Sequence, residues 1–378
     1  MRKKLLYVIS ALANHGGLER IVIDKLNWLV EHSQYDVFLL TFDQGSHPMA
    51  YPLHPHVNYA NLDIMIHLEY KFSGLRRLIC RFKLHTYLRK KLSFKINEIS
   101  PNVVVCCERL FVPDVEKSRG CIPLVYECHS GYLGFKLEGA SLFQKMQIRL
   151  CDWAIRKVEY VVTLTDGDAS NWRKVNSHVV TIPNTVHLNC TERYSDCMTK
   201  SIIFVGRYSA QKDIGSLLRI WEIVYSRHPD WQLHLYGGYG DEQEKWFHVV
   251  EQMHSGVFAH KASSYILDKF LGNSMLLLTS LHEPFGLVLP EAMSCGLPVV
   301  SFDCPYGPAD IISDGVDGFL IKDRDIEGFA KRVCQLIENQ ELRVKMGQEG
   351  ILSSQRYRAD VIMPKWIQLF NQITHNSR

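Results

Sequence analysis

The feature that most constrains this chain is a doubled rhythm. Short β-branched runs alternate with amphipathic stretches, and a polar interval splits them into two series. The first series contains "LLYVISA", "DVFLLTF", "NVVVCC", "PLVYEC", "YVVTLT" and "HVVTIPN". An irregular, polar stretch from His187 to Lys200 follows, and the alternation restarts with "SIIFVG", "WQLHLYG", "SMLLLTS", "PVVSF" and "GFLI". Apolar runs this short suit strands buried on both faces, and the helical patterns between them make parallel pairing the natural connection. Each series predicts a doubly wound α/β sheet, and together they predict two domains facing each other across a cleft. A length of 378 residues accommodates two such cores. The expected division is residues 1–186 and 187–359. A closing helix, residues 360–378, would pack back on the first domain, with Pro364 as a kink.

Composition narrows the function classes. The apolar fraction of 46% and charged fraction of 22% are ordinary for a soluble globular protein. A formal charge of +3 gives no reason to expect a nucleic-acid partner. Eleven cysteines occur without any C-x-x-C pair, which fits a reducing cytoplasm. The start, "MRKKLLYVISALA", has the outline of a short secretory signal. Read with the glycine turn "NHGG" and the helical pattern after it, Leu5 to Ala11 is instead a buried first strand. No apolar run approaches the roughly 20 residues that span a bilayer. The expected location is the cytoplasm.

The chemistry concentrates in "HEPFGLVLPEAMSCGLPVVSF", His282 to Phe302. "SMLLLTS" is a buried strand, so Glu283 stands just past its C-terminal end, the edge at which ligands collect in open α/β sheets. A helix is expected to start near Gly286 and stop at Gly296, a fitting C′ residue, with Pro298 beyond it. Pro290 falls near the first turn, where its missing N–H costs little. The amides from Phe285 through Gly286 and Leu287 to Val288 then form an anion site. Glu291 lies five residues along from Gly286, roughly 7.5 Å at helical rise. That span suits a diphosphate at the helix start and ribose hydroxyls at the Glu291 carboxylate. Glu283 would face the group on the far side of the diphosphate, so the two glutamates bracket a nucleotide sugar.

With those residues in place, "EPFGLVLPEAMSCGLPVV" resembles the E-x7-E signature of family-4 retaining glycosyltransferases, which have the GT-B fold. "HGGLER", "IPNTV", "VGRYSAQKD" and "LYGGYGDE" appear in the order that the family has them, and the resemblance covers nearly the whole chain. It implies that Arg207 and Lys212 hold the donor diphosphate, that His129 in "YECHSG" meets the donor sugar or acceptor, and that the catalytic set is Arg207, Lys212, Glu283 and His129. It implies further donor contacts from Gly16, Gly17 and the backbone around His260. "GLPVVSFDCPYGPADIISDGVDGFL" is similar to bacterial enzymes that build surface polysaccharides and lipid-linked glycans, often from UDP-sugars. The implied donor is a UDP-sugar and the implied acceptor a glycan or polyprenyl-linked hydroxyl. No cofactor or metal is implied, because basic groups and helix amides stabilise the leaving phosphate.

Plainer explanations compete at each point. Arg207 and Lys212 taken alone are surface charges, Gly16-Gly17 can be a tight turn, and a lone His129 is usually structural. Asp166-Gly167-Asp168 and Asp323-Arg324-Asp325 both spell D-x-D, which in other glycosyltransferases binds a divalent ion. Both precede helical patterns, so helix capping is the preferred explanation. Leu75 to Lys95 carries eight Lys or Arg and no acid, with Leu78, Phe82, Leu88 and Leu92 near helical spacing. That segment is either a solvated helix face or a patch for the inner face of the cytoplasmic membrane, and the resemblance favours the membrane. Two rival functions remain. A nucleotide-sugar epimerase of the same fold would convert the donor without an acceptor, and a non-catalytic sugar-binding scaffold would turn nothing over.

Overall fold

The computed structural model describes residues 2–133, 141–186, 193–238, 240–263 and 265–376. Residues 187–192 of the polar interval and Tyr239 of "LYGGYGDE" lie outside them. The chain divides into two compact units, Met1–Thr185 with Ala359–Arg378, and Val186–Arg358.

The first unit is built on β1 (Lys3–Ile9), α1 (Gly17–His32), β2 (Tyr35–Thr41), β3 (Asn58–Asn61), α2 (Gly74–Ile99) and β4 (Val103–Cys106). It continues with α3 (Val112–Ser118), β5 (Leu124–Glu127), α4 (Leu142–Ile155), β6 (Tyr160–Thr163), α5 (Asp166–Trp172) and β7 (Val179–Thr181). All strand pairs are parallel, in the order β3-β2-β1-β4-β5-β6-β7. The signal-like start is therefore the central strand β1. Its side chains alternate between two cores, as the period of two requires. Leu5, Tyr7 and Ile9 join Leu26 and Leu29 on one face, while Leu6 and Val8 join Leu88, Leu92 and Ile96 on the other.

The second unit runs β8 (Ser201–Val205), α6 (Ile214–Arg227), β9 (Gln232–Gly237), α7 (Gln243–Gln252), β10 (Val257–Lys261), α8 (Ile266–Leu271) and β11 (Leu276–Leu278). Then come α9 (Val288–Ser294), β12 (Val299–Phe302), α10 (Gly307–Ile311), β13 (Gly318–Ile321), α11 (Ile326–Glu338) and α12 (Gln340–Ser354). The parallel sheet has the order β10-β9-β8-β11-β12-β13. Phe204, Trp221, Phe302 and Phe329 are fully buried in its core. The last helix, α13 (Ala359–Asn376), runs through Pro364 and belongs to the first unit. Trp366 and Phe370 of α13 sit in the β1 core, and Tyr35 Oη donates to Asn371 at 2.8 Å.

Both sheets thus share one winding, in which the third, second and first strands precede the fourth. Strand order reverses beside the first strand of each unit, between β1 and β4 and between β8 and β11. That switch point, at the carboxyl ends of the strands, is where this architecture leaves a crevice. Two strands absent from the sequence expectation, β3 and β10, are the outer edges of their sheets.

Candidate functional site

In the second unit the switch point is occupied by two loops, one after β8 and one after β11. They are stitched together: Leu281 N donates to the Gln211 carbonyl at 2.8 Å, and Gln211 Nε2 donates to the His282 carbonyl at 2.9 Å. Across this seam Lys212 Nζ pairs directly with Glu283 Oε1. Ser280 Oγ donates to the same carboxylate oxygen at 2.6 Å. Glu283 is only 4% exposed, so the carboxylate is held in a largely dry setting where charge–charge interaction is strong. Arg207, five residues before Lys212, is exposed, and its guanidinium has no ion-pair or hydrogen-bond partner among the described residues. The arrangement offers one cation neutralised by an acid and a second cation open to solvent.

Three positioning groups here were not singled out from the sequence. Asp213 takes a left-handed conformation, φ 45°, and caps α6 by accepting from Ser216 N at 3.2 Å. Arg324 pairs with Asp213 and donates to the Ser280 carbonyl at 2.7 Å and the Thr279 carbonyl at 3.1 Å. It thereby ties the end of β11 to the start of α6, and fixes the backbone that carries Lys212 and Glu283. Ser280 is the third, through its hydrogen bond to Glu283.

The stretch after Glu283 follows the expected course with one shift. Helix α9 begins at Val288, not at Gly286, because Gly286 has φ +87°, outside the helical region and strained for any residue with a Cβ. Glu291 is in the first turn and half-buried. Phe285 is buried edge-to-face against Tyr357 at 5.3 Å, and Leu287 is half-buried. The far end is a Schellman cap: Leu297 N donates to the Ala292 carbonyl at 3.1 Å and Gly296 N to the Met293 carbonyl at 3.0 Å. Gly296, with φ +82°, is the C′ residue. Gly307 permits the next close approach, since a Cβ there would lie 1.8 Å from the Phe285 carbonyl oxygen.

His260 sits on the edge strand β10. Its Nε2 lies 3.0 Å from His234 Nδ1, and its ring stacks on Tyr236 at 4.4 Å. Burial, reinforced by Lys269, lowers its pKa below the usual imidazole value.

In the first unit, His129 follows β5 and belongs to a buried group that the sequence did not reveal. Its Nε2 lies 2.9 Å from Glu127 Oε1, and Lys25 of α1 pairs with the same oxygen. The Lys25 ammonium also lies 3.7 Å from the centre of the Trp366 ring. Burial alone would raise the Glu127 carboxyl, but Lys25 and His129 overcome it and hold the group at about 2. The carboxylate is therefore ionised, with His129 Nε2 beside it. Cys107, Glu127 and His129 bring ligand atoms within 4.8 Å of one another, the only such trio among the described residues. Burial and then Glu127 push the Cys107 thiol far up, and Lys25 already neutralises Glu127. Lys25 thus supplies the trio with a cation of its own, while Glu127 Oε2 and His129 Nε2 find no hydrogen-bond partner among the described residues. At the β1/β4 switch point Glu108 accepts from Ser10 N and Ser10 Oγ, at 2.5 and 2.8 Å. Gly16 sits before α1, whose start carries no side-chain cap, and Gly17 is its first residue.

The sequence model "Glycosyltransferase Family 4" matches residues 15–189, and "Glycosyl transferases group 1" matches residues 195–352. The chain is 26% identical over 378 residues to the amylovoran biosynthesis glycosyltransferase AmsD of Erwinia amylovora, covering 97% of this chain and 99% of AmsD. It is 31% identical over 225 residues to the poly(ribitol-phosphate) alpha-N-acetylglucosaminyltransferase of Staphylococcus aureus, covering 57% of this chain and 44% of that one. A solved variant of S. aureus TarM, in complex with fondaparinux, alpha-GlcNAc-glycerol and UDP, has TM-score 0.78 at 16% identity, over 98% of this chain and 100% of that chain. The chain belongs to the family-4 glycosyltransferases of the GT-B fold.

In this glycosyltransferase the two D-x-D sequences are engaged locally. Asp325 caps α11 by accepting from Gly328 N at 2.9 Å, and Asp323 accepts from Arg324 Nε at 2.7 Å. Asp168 accepts from Tyr132 N at 2.7 Å and Trp172 Nε1 at 3.1 Å, while Asp166 accepts from Thr181 Oγ1 at 2.6 Å. The cap of α5 is Thr165, not an aspartate. The basic segment 75–95 of the glycosyltransferase needs a correction. Leu88 and Leu92 are fully buried in the core, whereas Leu78 and Phe82 are exposed, so the core covers only the C-terminal part of that apolar side. Arg89 is also not a surface charge of the expected kind, since its Nε donates to buried Asp114 at 2.7 Å.

Proposed function

We propose that this glycosyltransferase moves a hexosyl or N-acetylhexosaminyl unit from a UDP-sugar to a hydroxyl of a glycan or lipid-linked acceptor, with retention of configuration and without a metal. The observation that carries the reading is the Lys212–Glu283 pair at the switch point, with Arg207 open beside it in sequence. A diphosphate entering there meets two cations, and drawing Lys212 onto phosphate releases Glu283 to accept hydrogen bonds from sugar hydroxyls. Glu291 holds the ribose, the Phe285–Val288 amides and the Gly16–Gly17 backbone approach the phosphates, and the backbone at His260 approaches the base. The bond from C1 to the β-phosphate oxygen breaks, and the acceptor oxygen bonds C1 on the same face. The acceptor proton passes to the departing phosphate. Arg207 and Lys212 stabilise the charge that develops on it. His129, beside Glu127, contacts the sugar or acceptor. The acceptor half is the first unit, which meets the inner face of the cytoplasmic membrane through residues 75–95.

A panel of nucleotide sugars incubated with the protein, read as free nucleotide, tests this. Release of UDP from one or a few UDP-sugars is expected, rising when a suitable acceptor is added. Conversion of the donor to its epimer without nucleotide release would overturn the reading, as would the absence of turnover across the panel.

A further inference from the structure

Helices α2 and α4 each carry an exposed apolar stripe at helical spacing. On α2 it runs Leu75, Leu78, Ile79 and Phe82, and on α4 Leu142, Met146, Leu150 and Trp153. The exposures are high: Leu75 72%, Phe82 73%, Leu142 87% and Met146 64%. An amphipathic helix normally hides such a stripe, and isolated apolar residues on a surface need no explanation. Two stripes on neighbouring helices do need one. The helices are neighbours because the Arg81 guanidinium lies 5.3 Å from the centre of the Phe143 ring.

Among the described residues, the unpaired charge around the stripes has one sign. No acid occurs between Glu69 and Glu98, while Arg76, Lys83, Lys90 and Lys91 are exposed there, Arg149 is exposed on α4 and Arg156 at its C-cap. The described acids nearest the patch are taken up. Glu69 is buried beside Arg77 and Arg81 at 3.4 and 3.6 Å, and Asp152 pairs with Arg109 at 2.5 Å. A second copy of this chain docked two-fold on the same patch would set these cations against their own images. A bilayer with anionic headgroups complements both the apolar stripes and the surrounding charge.

We propose that the start of α2 and the outer face of α4 together form a single docking surface for an anionic lipid bilayer. This extends the membrane-facing part of the reading above to a second helix and removes the C-terminal half of α2 from it, since Leu88, Leu92 and Ile96 are core. It rests on that reading only for what the docking serves, because binding to lipid is independent of donor chemistry. The apolar side chains enter the headgroup boundary and the cations sit above them, so both contribute.

Sedimentation of the full chain with phosphatidylcholine vesicles, with and without phosphatidylglycerol, tests the surface. Wild type should bind the anionic vesicles and not the neutral ones. Leu142→Glu with Met146→Glu should reduce binding by at least about tenfold. Arg76→Gln with Lys83→Gln should reduce it about fivefold for each charge removed, less at high salt. All four positions are exposed, and unchanged circular dichroism together with unchanged UDP release would show both variants folded. Equal binding of wild type to neutral and anionic vesicles would overturn the proposal. So would undiminished binding of the α4 variant, or a concentration-dependent dimer that the α4 variant abolishes. Absent UDP release in wild type with intact vesicle binding would overturn the catalytic reading and leave this one standing.

Discussion

At the scale of single residues, the protein solves one electrostatic problem twice, once in each unit. Glu283 is buried and ionisable, which is tolerable only because Lys212 and Ser280 compensate it. Glu127 in the first unit is fully buried and relies in the same way on Lys25 and His129. The sign of its pH dependence follows from its folded value of about 2, below the unfolded value of about 4.3. Its stabilising contribution is complete above the unfolded value and is lost as pH falls through the folded one. Urea unfolding should therefore show stability falling over that acidic window, and Glu127→Gln should flatten the dependence there. Lys25→Met should cost about 3–5 kcal/mol at neutral pH, because it strands a buried carboxylate. An unchanged unfolding midpoint would contradict the pairing. Glu291 carries a different prediction. If it holds the ribose, Glu291→Ala should lose about 1–3 kcal/mol of UDP binding by calorimetry, with the fold intact. Unchanged affinity would remove Glu291 from the donor site.

At the scale of elements, capping decides the D-x-D question for stability. Asp325→Ala should cost about 1 kcal/mol by loss of the α11 cap and leave UDP release nearly intact. A loss of activity in a folded Asp325→Ala protein would mean that the carboxylate does more than cap. The elements also show what sequence can reveal. Strands β1, β4, β5, β8, β11 and β12 lie inside their sheets with both faces covered, and so announce themselves as apolar runs. β3, "NYAN", and β10, "VFAHK", are edges with half-exposed faces and leave no run to read. The end of α9 was legible in Gly296, the C′ residue with positive φ, whereas its start was displaced to Val288 because Gly286 also takes positive φ. Glu283 and Glu291 could be chosen from spacing, but the partner of Glu283 lies 71 residues away, and only folding brings Lys212 to it. Periodicity likewise groups Leu78 and Phe82 with Leu88 and Leu92, yet cannot tell which half of α2 the core covers.

At the scale of the whole molecule, one winding is used twice with different fittings at the switch point. The first unit places Glu108 there, held by Ser10, with burial pushing its carboxyl up. The second places a paired acid and cation with a further open arginine, the chemistry that a diphosphate leaving group needs. That asymmetry is what supports the proposal that the second unit takes the donor and the first the acceptor. The most direct test measures UDP release from the preferred UDP-sugar by wild type and Lys212→Ala, each with and without a chelator. The account predicts that chelation leaves wild-type turnover nearly unchanged, and that Lys212→Ala lowers it by about 10²–10³, the cost of removing one preorganised charge-stabilising group. Turnover stopped by the chelator, restored by manganese or magnesium and largely indifferent to Lys212→Ala would contradict it.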